Sequence, residues 1–209
     1  MKKASRMTFI VDDDPSVRKG LERLIKSAGF KVETFASAEE FLERKPYRRG
    51  PSCLVLDVSM PGLSGIDLQK ELTRKGMSLP IIFITGHGNI PMSVKAMKNG
   101  AVDFLPKPFN DKELLSAIDR AIDKDTEKLK KHSEKAKIRR RINTLTPREY
   151  DVLRWVITGM LNKQIAAKLR VTEKTVKVHR GRVMQKMRVL SVAELVRLTQ
   201  KCGIAPAKK

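Results

Sequence analysis

Cysteine is nearly absent from this chain: Cys53 and Cys202 are its two copies in 209 residues. That scarcity argues against a disulfide framework or a cysteine-built metal site, and it fits a reducing cytoplasm. No apolar run approaches the roughly 20 residues of a membrane span. Met1-Lys2-Lys3 is charged, but no long apolar stretch follows, so a secretory signal is not expected either. Internal repeats are missing. Acidic residues are in short supply, with 23 Asp and Glu against 44 Lys and Arg, a formal net charge of +21 and a pI near 10.2. Such an imbalance predicts a polyanionic partner, foremost nucleic acid. A solvated basic surface or an anionic membrane face is the lesser alternative for the charge. The length suits one large or two small domains.

What is present is organised around Cys53-Leu54-Val55-Leu56-Asp57. Four apolar residues run into one aspartate, and Met60-Pro61-Gly62 then breaks the run. This reads as a buried strand with Asp57 at its carboxyl end, where ligands collect in open α/β sheets. Four further strands are predicted at 8–11, 30–35, 79–85 and 101–105. Helices are predicted between them: one with Pro15 in its first turn, one capped by Ser37 and Glu40, and two over 65–75 and 91–99. The 91–99 helix carries Val94, Ala96 and Met97. Asn110 and Glu113 open a long final helix. Alternating strands and helices predict a parallel sheet flanked by helices.

Asp12 and Asp13 end the first predicted strand and Asp57 the third. A flavodoxin-like strand order would make these strands neighbours and bring the carboxylates together. Three carboxylates need a counter-charge, and a hard divalent cation such as Mg²⁺ (or Mn²⁺) accepts oxygen ligands. Thr85 ends the fourth strand and Lys107 follows the fifth. A nucleophilic carboxylate, a metal, an ammonium and a hydroxyl on one rim form a site for a phosphoryl group. Polar strand ends are common singly; five together are harder to attribute to chance.

These pieces, Val11-Asp12-Asp13-Asp14, Leu56-Asp57 with Met60-Pro61-Gly62, Thr85-Gly86 and Lys107-Pro108-Phe109, resemble a response-regulator receiver domain over residues 7–122. The resemblance implies a CheY-like fold with a five-stranded parallel sheet. It implies that Asp57 accepts phosphate from a cognate sensor histidine kinase. Asp13, Asp57 and the carbonyl of Ser59 would bind Mg²⁺, with Asp12 holding it through water. Lys107 would contact the phosphoryl oxygens, Thr85 would move toward them, and Phe104 would be the switch aromatic. Lys107-Pro108 resembles the family's cis bond. Asp14 receives no metal role, and His87, between two glycines, is read as structural. Ile84-Thr85-Gly86-His87-Gly88 and the residues following are similar to the FixJ branch.

Residues 123–142 are dominated by charge and read as a helical linker ending in Arg139-Arg140-Arg141. A weak apolar spacing (Leu115, Ile118, Ile122, Leu129) would permit helix pairing, although a solvated face is the plainer reading. A different module fills 143–209. Thr146-Pro147-Arg148-Glu149 is a capping box with proline at the first helical position. Asn162, Thr172, and Ser191 with Glu194 are read as caps of three more helices, giving a four-helix all-α domain. Residues 140–209 hold 17 Lys and Arg against 4 Asp and Glu. The 162–169 helix, a short turn and the helix from Thr172 have helix-turn-helix spacing. With Val176 and Val183 inward, Lys174, Lys177, Val178, Gly181, Arg182 and Gln185 face out, a surface suited to the major groove.

Leu145-Thr146-Pro147-Arg148-Glu149, Asn162-Lys163-Gln164-Ile165-Ala166, Thr175-Val176-Lys177-Val178-His179 and Glu194-Leu195-Val196 also resemble the LuxR-type helix-turn-helix domain. That likeness implies a homodimer on two-fold double-stranded DNA. Lys177 and Val178 would read bases; Lys174, Thr175, His179 and Arg182 would be phosphate or positioning contacts. Gly181 stands where some relatives carry a longer residue. The whole chain is similar to the FixJ branch of NarL-like regulators, and within it to StyR-like and TodT-like regulators of aromatic catabolism. The expected function is a phosphorylation-switched transcription regulator, not an enzyme, dimerising on phosphorylation, with RNA polymerase a further partner. The rival readings are a phosphate-independent nucleic-acid binder and an aspartate-nucleophile phosphatase. The latter would want a second aspartate where Ser59 stands.

Overall fold

The computed structural model describes residues 6–47, 49–86 and 90–207, so the expectations for the charged amino terminus and His87 lie outside the described residues. The chain divides into two compact units, Met1–Leu129 and Lys130–Lys209.

The first unit alternates β1 (Met7–Val11), α1 (Pro15–Ser27), β2 (Lys31–Phe35), α2 (Ala38–Glu43), β3 (Ser52–Asp57), α3 (Gly65–Arg74), β4 (Ile81–Thr85), α4 (Ile90–Lys98), β5 (Asp103–Pro106) and α5 (Asp111–Ile142), which continues into the second unit. The strands form one parallel sheet in the order β2-β1-β3-β4-β5. Strand side chains alternate between faces, so each strand feeds two cores. Phe9, Val11, Leu54, Leu56 and Phe83 pack with α2, α3 and Ala96 of α4 on one side. Ile10, Cys53, Val55, Ile82 and Ile84 pack with α1 and α5 on the other. With both faces covered, β3 is buried along its whole length, the unbroken apolar run expected of a central parallel strand. Burial pushes the Cys53 thiol up to about 12, which keeps it a small apolar core residue.

Three expectations need correction. β4 starts at Ile81 rather than residue 79; the carbonyl of Pro80 already accepts from Leu54 N at 2.9 Å. On α4, Ala96 alone of the three expected core residues is buried, while Val94 and Met97 are 44% and 45% exposed. The weak pairing spacing on α5 is used by the sheet: Ile118 and Ile122 are buried in the second core and Leu115 packs at its edge. Only Leu129 of that set is exposed, so no apolar seam is left. Asp125, inside the predicted linker, is a buried carboxylate accepting from Ser52 N at 2.8 Å.

In the second unit the end of α5 is followed by α6 (Pro147–Val156), α7 (Asn162–Leu169), α8 (Glu173–Met187) and α9 (Val192–Lys201). Val152, Leu153, Val156, Ile165, Val176, Val183, Met187 and Leu195 form its core. Ile138 of α5 joins them, a contribution the charge-rich sequence hides. Thr146 and Glu149 make the reciprocal capping box. Asn162 is not a cap. Leu161 is the N-cap residue of α7, Gln164 accepts from Leu161 N at 2.9 Å, and Asn162 accepts from Arg180 at 2.9 Å, tying α7 to α8.

Candidate functional site: an acidic strand edge and a basic helix

Because β1 and β3 are hydrogen-bonded neighbours with Val11 opposite Leu56, their next residues, Asp12 and Asp57, emerge side by side at the carboxyl edge of the sheet. Both are buried, at 1% and 6% exposure, whereas Asp13 is exposed. One oxygen from each of Asp12, Asp13 and Asp57 lies within 4.8 Å of the others. The Lys107 ammonium donates to Asp12 Oδ2 at 2.7 Å and to Asp57 Oδ2 at 3.3 Å. Burial raises the Asp57 pKa above the ordinary carboxylate value, and the neighbouring Asp12 adds to this against the opposing pull of Lys107. Burial works against the Lys107 charge, but the bonds and charges of Asp12 and Asp57 outweigh it, so its pKa lies above the usual lysine value. The carboxylate oxygens are a donor set for a hard divalent cation.

The remaining rim residues follow from local structure. Asp14 is the N-cap of α1, its carboxylate accepting from Ser16 N and Val17 N. Those bonds hold its pKa below the ordinary value and commit its carboxylate to the start of α1. Asp14 N in turn donates to Asp12 Oδ1 at 2.9 Å, and Ser59 N lies 3.5 Å from Asp57 Oδ1. Thr85 is fully buried at the end of β4, and its carbonyl accepts from Lys107 N at 2.7 Å. The Lys107–Pro108 bond is cis. Phe104 is half-buried, with its ring 6.2 Å from that of Phe83.

Two residues here escaped the sequence reading. Arg18 Nη1 donates to the Asp12 carbonyl at 2.6 Å. Gly65 opens α3 directly against the end of β3, donating its N–H to Val58 O at 3.0 Å. A Cβ on Gly65 would lie 2.2 Å from the Asp57 carbonyl oxygen. A glycine at the first helical position, where proline or a strong helix former is usual, was the available signal.

In the second unit, α7 ends at Arg170 in the left-handed region and Thr172 caps α8. Lys174, Lys177, Val178, Gly181, Arg182 and Gln185 are exposed on α8, opposite the buried Val176, Val183 and Met187. Two predicted contacts sit less freely. Thr175 shares a 2.8 Å hydroxyl bond with Thr172. His179 is half-buried, with its Nδ1 enclosed and without a partner among the described residues.

A strand-edge acidic cluster crossed by a lysine, on one unit, and a basic helix-turn-helix on the other define a two-domain signalling regulator. The family models agree: residues 8–119 match the response regulator receiver domain, and residues 143–199 match the bacterial regulatory proteins of the luxR family. The chain belongs to the transcriptional response regulators. It is 49% identical over 199 residues to Nodulation protein W of Bradyrhizobium diazoefficiens, covering 95% of this chain and 87% of that protein. It is 44% identical over 201 residues to the response regulator protein TodT of Pseudomonas putida, covering 96% and 88%. Among solved structures, the response regulator StyR superposes with a TM-score of 0.84 at 49% identity, covering 95% of this chain and 100% of that one. Full-length FixJ from B. japonicum gives 0.57 at 41% identity, covering 94% and 97%.

Proposed function

We propose that Asp57 is phosphorylated by a sensor histidine kinase and that this switches dimerisation and sequence-specific DNA binding. The observation that carries the reading is the Lys107 ammonium held between the Asp12 and Asp57 carboxylates. An Asp57 oxygen would form a bond to phosphorus as the donor's P–N bond breaks, the histidine leaving with its electron pair. Lys107 can follow the charge to the phosphoryl oxygens, because it already spans the two carboxylates. Asp13, Asp57 and the Ser59 carbonyl would hold Mg²⁺ (or Mn²⁺), with Asp12 holding it through water; bound, the ion neutralises charge on the phosphoryl oxygens. Phosphorylation adds roughly one to two negative charges at a buried point. Thr85 then bonds the phosphoryl group and Phe104 turns inward.

In this reading residues 7–122 are the receiver, 123–142 the connecting helix and 143–209 the DNA-binding domain, in a cytoplasmic regulator without steady-state turnover. Lys177 and Val178 read bases, while Lys174, Thr175, His179 and Arg182 position α8 on the phosphates of a two-fold site. RNA polymerase is the downstream partner. The phosphatase reading loses ground because Ser59 can supply no acid where that chemistry needs one. No helix among the described residues is long and apolar enough to cross a membrane.

Incubation with a small phosphodonor and Mg²⁺ tests the site. One phosphoryl group per chain is expected on Asp57, none on the Asp57→Asn variant, and a strong loss of labelling with chelator. Labelling elsewhere, or release of many phosphates per chain from excess donor, would contradict it.

A further inference from the structure

Gln69 lies on α3, away from the acidic edge, and is only 3% exposed. Its Nε2 donates to two backbone carbonyls of a different helix end, Ala96 O and Asn99 O, each at 3.3 Å. Both partners are acceptors, so the amide orientation is fixed: the nitrogen must face them. Its Oε1 is buried without a hydrogen-bond partner among the described residues. A core position facing α4 would ordinarily hold an apolar residue, as Leu68 and Leu72 do beside it. Here a polar group is buried and only half satisfied, which is costly enough to need an explanation.

The carbonyls at the end of a helix lack intrahelical partners. α4 ends at Lys98, and backbone groups there are supplied by Asn99 N, Gly100 N and Ala101 N, the last donating to Ala96 O at 3.2 Å. Gln69 is the side-chain addition from outside the helix. Beside it, and lined in part by Gln69 itself, lies a cleft of about 310 Å³ whose other walls include Thr73, Gly76, Met77, Asn99 and Gly100. The opposite end of α4 begins five residues after Thr85, and its outer surface carries the exposed Val94 and Met97. The carboxyl end of α4 is therefore held by its own backbone turn, by buried Ala96 and Ala101, and from α3 by the single Gln69 amide.

We infer that Gln69 is a latch that fixes the carboxyl end of α4 in the resting state. Two long bonds and an orphaned oxygen make it specific in register but weak. A displacement of the α4 end away from α3 breaks both bonds together, and Oε1 loses nothing. Gln69 thus sets the resting position of the helix through Ala96 and Asn99. It touches no reacting atom and is a positioning residue.

Two variants test this in the full chain. Gln69→Met keeps the length and deletes the donors; Gln69→Glu keeps the shape and turns a carboxylate toward two carbonyls. Hydrogen exchange of the amides at 99–101 is expected to speed up by about ten-fold or more in both, with β1, β3 and β4 unchanged. Because α4 is then freer without phosphate, the unphosphorylated dimer constant, measured by sedimentation, is expected to tighten by up to about ten-fold. The dimer constant with phosphodonor should move less. Unchanged exchange at 99–101, or acceleration spread evenly over the first unit, overturns the latch. Local acceleration with an unchanged resting dimer constant overturns its regulatory role. That second readout rests on the function proposed above: a wild type that fails to dimerise with phosphodonor would count against that function, while the exchange result judges the latch alone.

Discussion

Replacing Gly65 with alanine adds one methyl group at the most crowded point of the acidic edge. Its Cβ would lie 2.2 Å from the Asp57 carbonyl oxygen and 3.1 Å from Asp57 C and Val58 Cα. Ordinary carbon–oxygen contacts are about 3.3 Å, so α3 and the end of β3 must part by about 1 Å. The obstructing atoms are backbone, in a strand hydrogen-bonded on both sides, and no rotamer change relieves them. The cost falls at the upper end of the overpacking range, about 3 kcal/mol, or about 10 °C in the first unit. Gly181 is the control. It too is helical, but a Cβ there meets nothing within 4 Å, so Gly181→Ala should stabilise α8 by about 0.5–1 kcal/mol. The single tryptophan, Trp155, belongs to the second unit. Thermal unfolding of the full chain by far-UV circular dichroism follows both units; Trp155 fluorescence follows the second. Gly65→Ala should lower the first-unit transition seen by dichroism, and Gly181→Ala should raise the fluorescence transition. A Gly65→Ala first-unit transition within 2 °C of wild type, about 0.5 kcal/mol by the same conversion, would refute the steric argument.

Two further outcomes follow from the second unit. Glu149 is buried, and its pKa lies below the ordinary value, first because Lys186 bonds it at 2.6 Å and then because Thr146 N does. A depressed carboxylate pKa contributes stability that is full above the unfolded value and is lost as pH falls through the folded one. The Trp155 transition should therefore drop below about pH 4.5, and Glu149→Gln, about 1–3 kcal/mol less stable at pH 7, should show a smaller acid loss. Lys177→Ala should cost about 1–3 kcal/mol of operator affinity and relax base preference at one position of each half-site, whereas Lys174→Ala should weaken all sequences alike; a binding-site selection with each variant checks this.

The buried, central character of β3 was legible because it carries an unbroken apolar run, and the acidic residues marked where strands stop; that β1 and β3 are neighbours was expected from the receiver resemblance and the flavodoxin-like order it implies. Periodicity located the helices but not what their outer faces do. Val94 and Met97 have the spacing of a core face yet remain exposed, since small Ala96 is what the sheet accepts there. On α5 the reverse holds: Ile138 and Ile142 are sparse apolar residues among charges and still join a core. Gly65 and Gln69 were harder to read, because each is set by a contact outside its own helix: the missing Cβ of Gly65 by the Asp57 carbonyl, which its place at the first helical position only hinted at, and the Gln69 amide by the carbonyls of Ala96 and Asn99. Asn162 shows the same limit, because a cap-forming residue type was recruited by Arg180 of the next helix instead.

Charge placed on Asp57 should be felt by α8. The direct measurement is operator affinity of the full chain, at fixed salt, with and without phosphodonor and Mg²⁺, for the wild type and Asp57→Asn. Tighter, dimeric binding is expected of the phosphorylated wild type, and no response from Asp57→Asn. Equal affinity in all four conditions, or a response that survives in Asp57→Asn, would contradict it.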